Sequence, residues 1–151
     1  MNIALDLMDH RILDILQSDG RISMLDLAGR VGLSPTPCSR RVKRLEDEGV
    51  ITGYAACVDT AALGWSVEAL VTVRLASQGA DDIQAFLSAV RRRPEITECL
   101  LVAGNIDYVL KVRVRDVEGL RSFILEGLKT VPCVAETSTM LILDKDGPMM
   151  R

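Results

Sequence analysis

Apolar residues recur at helical spacing between Asp6 and Gly49. The first predicted helix ends at Ser18-Asp19-Gly20, and its apolar face carries Met8, Ile12, Ile15 and Leu16. Ser23 is the N-cap candidate of a second helix, which ends at Gly32 and is expected to bury Leu25, Leu27, Ala28 and Val31. The short turn Gly32-Leu33-Ser34 leads directly into a third helix. This arrangement is typical of a helix-turn-helix.

The third predicted helix has two prolines in its first turn and runs to about Glu48. Ser34 is its N-cap candidate, and Pro35 and Pro37 are tolerated because N–H groups in a first turn have no intrahelical partner. The predicted inward stripe consists of Cys38, Val42 and Leu45. The outward face presents Thr36, Arg40, Lys43 and Arg44, with Ser39 on one flank. Arg41 lies nearer the inward edge, where we expect it to contact the body of the domain.

Beyond residue 60, strand-like alternation and helical stretches take turns. Before that region, directly after the third helix, a short strand is predicted over residues 50–58, as a wing or as a strand that pairs across a dimer. The following pattern predicts strands at 67–76, 96–103, 106–114 and 134–143, with helices at 81–93 and after the cap candidate Asp116. Gly104-Asn105 is expected to form a two-residue turn between the middle strands. The order βαββαβ is the ferredoxin-like plan.

A four-stranded sheet that carries both helices on one face leaves its other face uncovered. Because the predicted strands are rich in apolar residues, that face would expose a hydrophobic patch too large for a comfortable monomer. Self-association is therefore expected, most simply as a twofold dimer.

Charge is distributed unevenly along the 151 residues. The whole chain has a net charge of -3, and residues 1–60 hold seven basic and nine acidic side chains, yet residues 34–45 hold four basic and no acidic ones. A positive helix face suits DNA, since neutralised phosphates supply most sequence-independent affinity. A solvated helix surface is the alternative interpretation. The helix-turn-helix spacing favours DNA, because the first residues of such a recognition helix contact base edges in the major groove.

Other classes of function find little support in the sequence. His10, the only histidine, is spaced four residues from Asp6 and from Asp14, which favours a surface ion-pair array over a catalytic dyad. The four cysteines include no Cys-x-x-Cys pair, so neither a zinc site nor another cofactor is expected. No apolar run approaches the roughly 18 residues of a membrane span, and the first residues do not form a secretory signal. We expect no membrane partner and a cytoplasmic location.

Several stretches carry a more specific signal. They are Leu7 with Ile12-Leu13, Leu16-Gln17 and Asp19-Gly20-Arg21; Val31-Gly32-Leu33-Ser34-Pro35-Thr36-Pro37-Cys38 followed by Arg41-Val42-Lys43-Arg44-Leu45-Glu46; Gly49-Val50-Ile51-x-Gly53-Tyr54; and Gly104-Asn105-x-Asp107-Tyr108. With these motifs the chain resembles the leucine-responsive regulatory protein/AsnC (Lrp/AsnC, feast/famine) family of prokaryotic transcription regulators. The resemblance spans nearly the whole chain, and the run from Gly32 to Cys38 is its most specific part.

The resemblance implies an α+β protein with two domains. A winged helix-turn-helix domain at residues 1–50 would be joined by a β-linker at 51–62 to a ferredoxin-like (ACT-like, RAM) domain at 63–151. The partners implied are double-stranded DNA, further copies of the chain in a homodimer that often extends to a tetramer or octamer, and a small-molecule amino acid as effector. Such a regulator would act on the nucleoid.

The resemblance also implies which residues form the sites. The predicted DNA-binding residues are Ser34, Pro35, Thr36, Ser39, Arg40, Lys43 and Arg44. The predicted effector-binding residues are Ala103, Gly104, Asn105, Asp107, Tyr108, Thr137, Ser138 and Thr139. Asn105 stands where an acidic residue is common in the family, and Ser39 where a larger one often occurs. Asp107 is either the acceptor for the effector's ammonium group or a turn-stabilising residue.

Two alternatives to an active regulator remain open at this point. One is an effector-binding or assembly module whose helical domain has lost DNA binding. The other is an enzyme that resembles sirohaem decarboxylase, for which a single histidine is poor support.

Overall fold

The computed structural model describes residues 3–144 in two compact units, divided between Val58 and Asp59. Residues 1–2 and 145–151, which belong to the predicted domains 1–50 and 63–151, lie outside the described residues. No described helix combines the length and the apolar character that crossing a lipid bilayer requires.

The first unit contains three helices, α1 (Leu7–Ser18), α2 (Met24–Val31) and α3 (Pro35–Asp47). Asp6 caps α1 in a reciprocal capping box, in which its carboxylate accepts from the Asp9 N–H while the Asp9 carboxylate accepts from the Asp6 N–H. Ser23 caps α2 as predicted, by accepting from the Asp26 N–H at 3.1 Å. Gly32 ends α2 with a φ of 75°, a left-handed conformation that glycine adopts without strain. Three helices in this order confirm the predicted helix-turn-helix.

One apolar cluster holds the three helices together, and its buried members are Ile12, Leu27, Ala28, Val31, Cys38, Val42 and Leu45. The predicted inward stripe of α3 is therefore correct. The prediction that Leu25 is buried is wrong, since Leu25 is 70% exposed. With 3.6 residues per turn, Leu25 lies about 110° from the centre of the buried face of α2. The hydrophobic character of the side chain was misleading, and the helical angle decides its position.

The predicted strand at residues 50–58 is also wrong for the single chain, which has no strand there. The N–H groups of Val50 and Ile51 instead donate to the Leu45 carbonyl at 2.9 and 3.0 Å, closing the end of α3. The Tyr54 hydroxyl donates to Glu46 Oε1 at 2.8 Å. Because a strand is stable only with a hydrogen-bonded neighbour, pairing across a dimer stays a prediction.

The second unit confirms the βαββαβ order. Its elements are β1 (Val67–Leu75), α4 (Ala80–Arg91), β2 (Ile96–Leu101), β3 (Tyr108–Val114), α5 (Val117–Ser122), which continues as π-helix over Phe123–Leu128, and β4 (Val134–Ile142). The strands form one antiparallel sheet in the order β2-β3-β1-β4. Alternate residues of β1 and β3 point into a core beneath the helices, where the rings of Phe86 and Tyr108 lie 4.7 Å apart.

The connection between β2 and β3 is longer than predicted. The last strand pair is Leu101 with Tyr108, and the Val102 N–H donates to the Asp107 carbonyl at 3.0 Å. The loop therefore comprises residues 103–106, and the predicted two-residue turn at Gly104-Asn105 is wrong. The Asp107 N–H donates to the Val73 carbonyl at 2.9 Å, which holds the loop against β1 and prevents a tight hairpin.

No helix of residues 3–144 covers the other face of the sheet. Leu70 and Val109 are partly exposed near its centre, and Leu100 and Met140 are each 50% exposed beside them. Charged pairs lie around these residues: Lys111 Nζ is 3.2 Å from Glu98 Oε1, and Arg74 Nη1 is 3.7 Å from Glu136 Oε2. We call this surface the open face. Its apolar centre and charged edge have the composition of an interface between proteins.

Candidate DNA-binding surface and effector site

The outward surface of α3 presents the residues predicted to bind DNA. All seven are exposed: Ser34, Pro35, Thr36, Ser39, Arg40, Lys43 and Arg44. Ser34 occupies the N-cap position, but its hydroxyl does not accept a hydrogen bond from the first turn of α3. Pro35 lies in the first turn, as expected. Because Cys38, Val42 and Leu45 are buried on the opposite side, the helix cannot rotate to hide its polar face.

The cations on this surface differ in how they are held. Arg40 forms no ion pair within the described residues, and Lys43 Nζ lies 3.2 Å from Asp47 Oδ1 in an exposed pair. Exposed pairs of this kind contribute little and exchange readily with other ions. The guanidinium of Arg40 and the ammonium of Lys43 are therefore available to a polyanion.

Arg41 and Arg44 are bound to the start of α1. Arg41 Nη1 donates to Asp6 Oδ2 at 2.7 Å and to Asp9 Oδ1 at 2.8 Å, which confirms that Arg41 contacts the body of the domain. Arg44 Nη2 donates to Asp9 Oδ2 at 2.5 Å, although the Arg44 side chain is 43% exposed. Arg44 is predicted to face outward, and this contact is a correction. Its guanidinium is shared among Asp9, solvent and Glu48, whose Oε2 lies 3.9 Å from Arg44 Nε.

The sequence contained a signal for this network that its analysis missed. Asp6 and Asp9 are three residues apart on one helix, and Arg41 and Arg44 are three residues apart on another, so each pair lies on one side of its helix. The predicted pairing of His10 with Asp6 and Asp14 does not occur within the described chain. Asp6 binds Arg41 instead, since a guanidinium is always charged and offers several donors.

The network lowers the pKa of both carboxyl groups. Burial by itself would raise the pKa of Asp9, but hydrogen bonds from the Asp6 N–H and from the two guanidinium groups outweigh burial and hold it below the usual value. The Asp9 N–H, and then the Arg41 guanidinium, lower the pKa of Asp6 from 3.8 to about 2. Both residues are therefore ionised at neutral pH, and the network persists under those conditions.

The predicted effector residues lie toward one end of the sheet, but some are on its helix-covered face and others on its open face. Gly104, Asn105 and Asp107 border an open depression of ≈ 500 Å³ together with Arg74 and Gln78. Ala103 is exposed in the same loop. A second depression of ≈ 310 Å³ is lined by Thr72, Arg74, Asn105, Ile106, Glu136 and Ser138. Asn105 and Arg74 belong to both, so they form the common wall.

Asp107 holds the loop in place. Its Oδ2 accepts from the Leu75 N–H at 2.7 Å, and its Oδ1 accepts from Gln78 Nε2 at 2.7 Å. Both carboxylate oxygens are therefore used inside the protein. Of the two alternatives for Asp107, this geometry supports the turn-stabilising role.

Three other predicted effector residues, Tyr108, Thr137 and Thr139, line neither of the two depressions beside the loop. The Tyr108 side chain is 4% exposed in the core, and burial raises its pKa. Thr137 and Thr139 pair with Val73 and Val71, which places them on the helix-covered side of the sheet. Ser138 pairs with Thr72 and belongs to the open face. Arg74 and Glu136 also lie at this site but are not indicated by the sequence, because only the pairing of β1 with β4 brings them together.

Comparison with known proteins gives matches over both units. Residues 5–52 match the winged helix-turn-helix DNA-binding family, and residues 68–146 match the Lrp/AsnC ligand-binding domain. The leucine-responsive regulatory protein of Klebsiella pneumoniae is 45% identical over 142 residues, which are 93% of this chain and 86% of that protein. The chain belongs to the Lrp/AsnC family. It is a DNA-binding transcription regulator of that type.

Solved structures agree with this Lrp/AsnC assignment. A transcriptional regulator from Neisseria meningitidis in complex with L-methionine is 32% identical, with a TM-score of 0.91 over 95% of this chain and 93% of that one. A feast or famine regulatory protein from M. tuberculosis, complexed with L-methionine, is 34% identical, with a TM-score of 0.83 and 95% of each chain covered. AsnC of E. coli is 27% identical, with a TM-score of 0.85 over 99% and 97% of the two chains.

Proposed function

We propose that two copies of this Lrp/AsnC regulator bind duplex DNA through paired α3 helices and that an amino acid changes their assembly. The exposed cationic surface of α3, on a helix whose apolar side is fully buried, is the observation that carries the DNA-binding half. Thr36, Ser39 and Arg40 reach base edges, together with Ser34 and Pro35 at the helix start. Lys43 and Arg44 contact phosphates, Arg44 with the part of its guanidinium that Asp9 leaves free.

The dimer buries the open face of the sheet. Leu70, Val109, Leu100 and Met140 lose water when a second copy covers them, and Lys111 and Glu98 can form pairs across the interface. Two α3 helices then enter successive major grooves roughly 34 Å apart, so the operator is a pseudo-palindrome. Further association into tetramers or octamers would allow DNA to wrap around the assembly.

Retardation of genomic fragments in an electrophoretic gel tests DNA binding directly. We expect the chain to retard a subset of fragments at a salt concentration where the rest run free. A folded, dimeric chain that retards no fragment would contradict the proposal and would favour an effector or assembly module without DNA binding.

The effector is an amino acid that binds at the loop of residues 103–106. Two related regulators were solved with L-methionine. In this chain Arg74 supplies a cation for a carboxylate, Glu136 supplies an anion for an ammonium group, and Asn105 and Ser138 supply neutral hydrogen-bonding groups. This role replaces the ammonium acceptor first considered at Asp107, whose oxygens are occupied.

A thermal-shift panel of the twenty amino acids tests the effector, with L-methionine as the first candidate. A ligand at about a hundred times its dissociation constant stabilises the protein by roughly 2.7 kcal/mol, which such a panel detects. Sedimentation with and without the ligand then shows whether assembly changes. No shift with any amino acid at millimolar concentration would contradict this half of the proposal.

The proposed regulator works in the cytoplasm, needs no cofactor and catalyses no reaction. Regulation requires that the effector bind two assembly states with different affinities. The binding free energies for the two states typically differ by about 1–3 kcal/mol. Effector binding and assembly are therefore coupled only through the difference between these two binding free energies.

A further inference from the structure

Asp9 is the only residue with a polar or charged side chain that is fully buried in the described chain, and it lies beneath the DNA-binding surface. Its side chain is 1% exposed. The carboxylate accepts three hydrogen bonds: from the Asp6 N–H at 3.1 Å, from Arg41 Nη1 at 2.8 Å and from Arg44 Nη2 at 2.5 Å. A buried charge is costly unless it is fully paired, and here both oxygens have partners.

The two arginines attach α3 to α1 at two points. Arg41 and Arg44 are three residues, or about one turn, apart on α3, and they bind the two oxygens of a single carboxylate. Apolar packing of Cys38, Val42 and Leu45 is not directional, so it tolerates a small rotation of the helix. Hydrogen bonds depend on angle as well as distance. The Asp9 carboxylate therefore restricts both the rotation of α3 and its position along its axis.

We propose that Asp9 is a positioning residue for DNA recognition, because it sets the orientation in which α3 presents its polar face to the base edges. Asp9 itself touches no DNA and acts through Arg41 and Arg44. This inference rests on the proposed function, namely DNA reading by α3, and adds the residue that aligns the helix.

Positioning by Asp9 and simple electrostatics predict opposite effects on DNA affinity when the Asp9 charge is removed. Asp9 carries a negative charge close to a surface that meets phosphates, so its removal by itself should strengthen binding to every duplex. If Asp9 positions α3, the substitution Asp9→Asn should instead weaken binding to the recognised sequence. An amide keeps one acceptor oxygen but turns an NH2 group toward a guanidinium, so only one arginine remains bound.

The test uses the full chain and two duplexes of about 30 base pairs, enough for two half-sites one helical turn apart. One is selected by the wild-type chain from random DNA, and the other is its shuffled version. With Asp9→Asn we expect a loss of roughly 10-fold or more for the selected duplex, comparable to one lost base contact, and unchanged or tighter binding of the shuffled one. Asp14→Asn removes the same charge from an exposed position of α1, and it should change neither affinity by more than about twofold.

Fluorescence anisotropy measures both affinities, and circular dichroism shows whether each variant is folded. Tighter or equal binding of the selected duplex by folded Asp9→Asn would overturn the inference. If Asp9→Asn does not fold, Arg41→Lys decides in its place. It keeps the positive charge but loses the planar donor geometry. Lost discrimination between the duplexes supports positioning by Asp9, and wild-type discrimination overturns it.

Where both variants fold, the double variant Asp9→Asn/Arg41→Lys should lose less discrimination than the sum of the two single losses, because both changes weaken the same contact between Arg41 and Asp9. Additive losses would overturn the shared role. Failure of the proposed function looks different: the wild-type chain then selects no duplex from the random pool.

Discussion

The side-chain amide of Gln78 donates to the Asp107 carboxylate at 2.7 Å, and this bond joins the loop after β2 to the connection between β1 and α4. The same carboxylate accepts from the Leu75 N–H at the end of β1. One residue thus determines where the loop of residues 103–106 lies. The proposed effector site, which borders this loop, depends on that position.

Replacement of Asp107 by alanine should destabilise the second unit. The Leu75 N–H loses its acceptor, and an unsatisfied, partly buried donor costs about 1–3 kcal/mol. Urea unfolding of Asp107→Ala measures the loss. Asn105→Ala, in the same loop but exposed, is the control and should stay within about 0.5 kcal/mol of the wild type. Equal stability of the Asp107 variant would contradict the loop-holding role.

Arg40 and Lys43 should affect DNA binding in different ways. Arg40→Ala should cost about 1–3 kcal/mol and relax the sequence preference at one position, if Arg40 reads a guanine. Lys43→Ala should weaken binding to all sequences and reduce the salt slope by about 0.9, the value for one phosphate. Anisotropy titrations over a range of salt concentrations separate the two effects.

Arg121→Ala is the control for the loss of one positive charge, because Arg121 belongs to the second unit and pairs with Glu118. It should leave the slope and the preference unchanged. An unaltered affinity and slope in the Lys43 variant would refute its phosphate role.

Leu70→Glu should convert the proposed dimer into monomers. Leu70 lies near the centre of the open face, so the substitution places a charge where a second copy would bury it without a partner. Analytical ultracentrifugation measures the change. Val117→Glu introduces the same charge at a position that is 64% exposed at the start of α5, and this control should remain dimeric. A dimeric Leu70 variant would exclude the open face as the interface.

Acid should weaken the first unit through Asp6. Its folded pKa of about 2 is below the ordinary value of 3.8, so its contribution to stability is fully present above pH 3.8 and is lost as the pH falls through 2. The lowered pKa of Asp9 acts in the same direction. The difference in unfolding free energy between the wild type and Asp6→Asn should therefore be largest above about pH 4 and shrink toward pH 2.

Thermal unfolding between pH 2 and 7, followed by circular dichroism, measures this dependence. Asp14→Asn removes a carboxyl group from the same helix and serves as the control. A constant difference between the wild type and Asp6→Asn across this range would show that the Asp9 N–H and the Arg41 guanidinium do not lower the pKa of Asp6 in the folded state.

Local patterns were sufficient to predict most of the fold. Ser23, Gly32 and Asp116 act within one or two helical turns, and each has its predicted capping role in the structure. The alternation of apolar residues along β3 likewise matches its burial, with Tyr108, Leu110, Val112 and Val114 buried. Leu25 was misplaced because hydrophobic character was allowed to outweigh the helical angle. The strand at 50–58 was misplaced because a strand needs a partner that its own sequence does not specify.

The amino-acid sequence by itself determined the helix-turn-helix, the βαββαβ order and the cationic surface of α3, since these depend on periodicity, capping and side-chain type over short distances. Only the tertiary structure decided that Asp9 binds Arg41 and Arg44, that Asp107 faces Leu75 and Gln78, and that Arg74 meets Glu136. These partners are tens of residues apart in the chain. Packing of helices and register of strands bring them together, and neither is encoded in the spacing of any single segment.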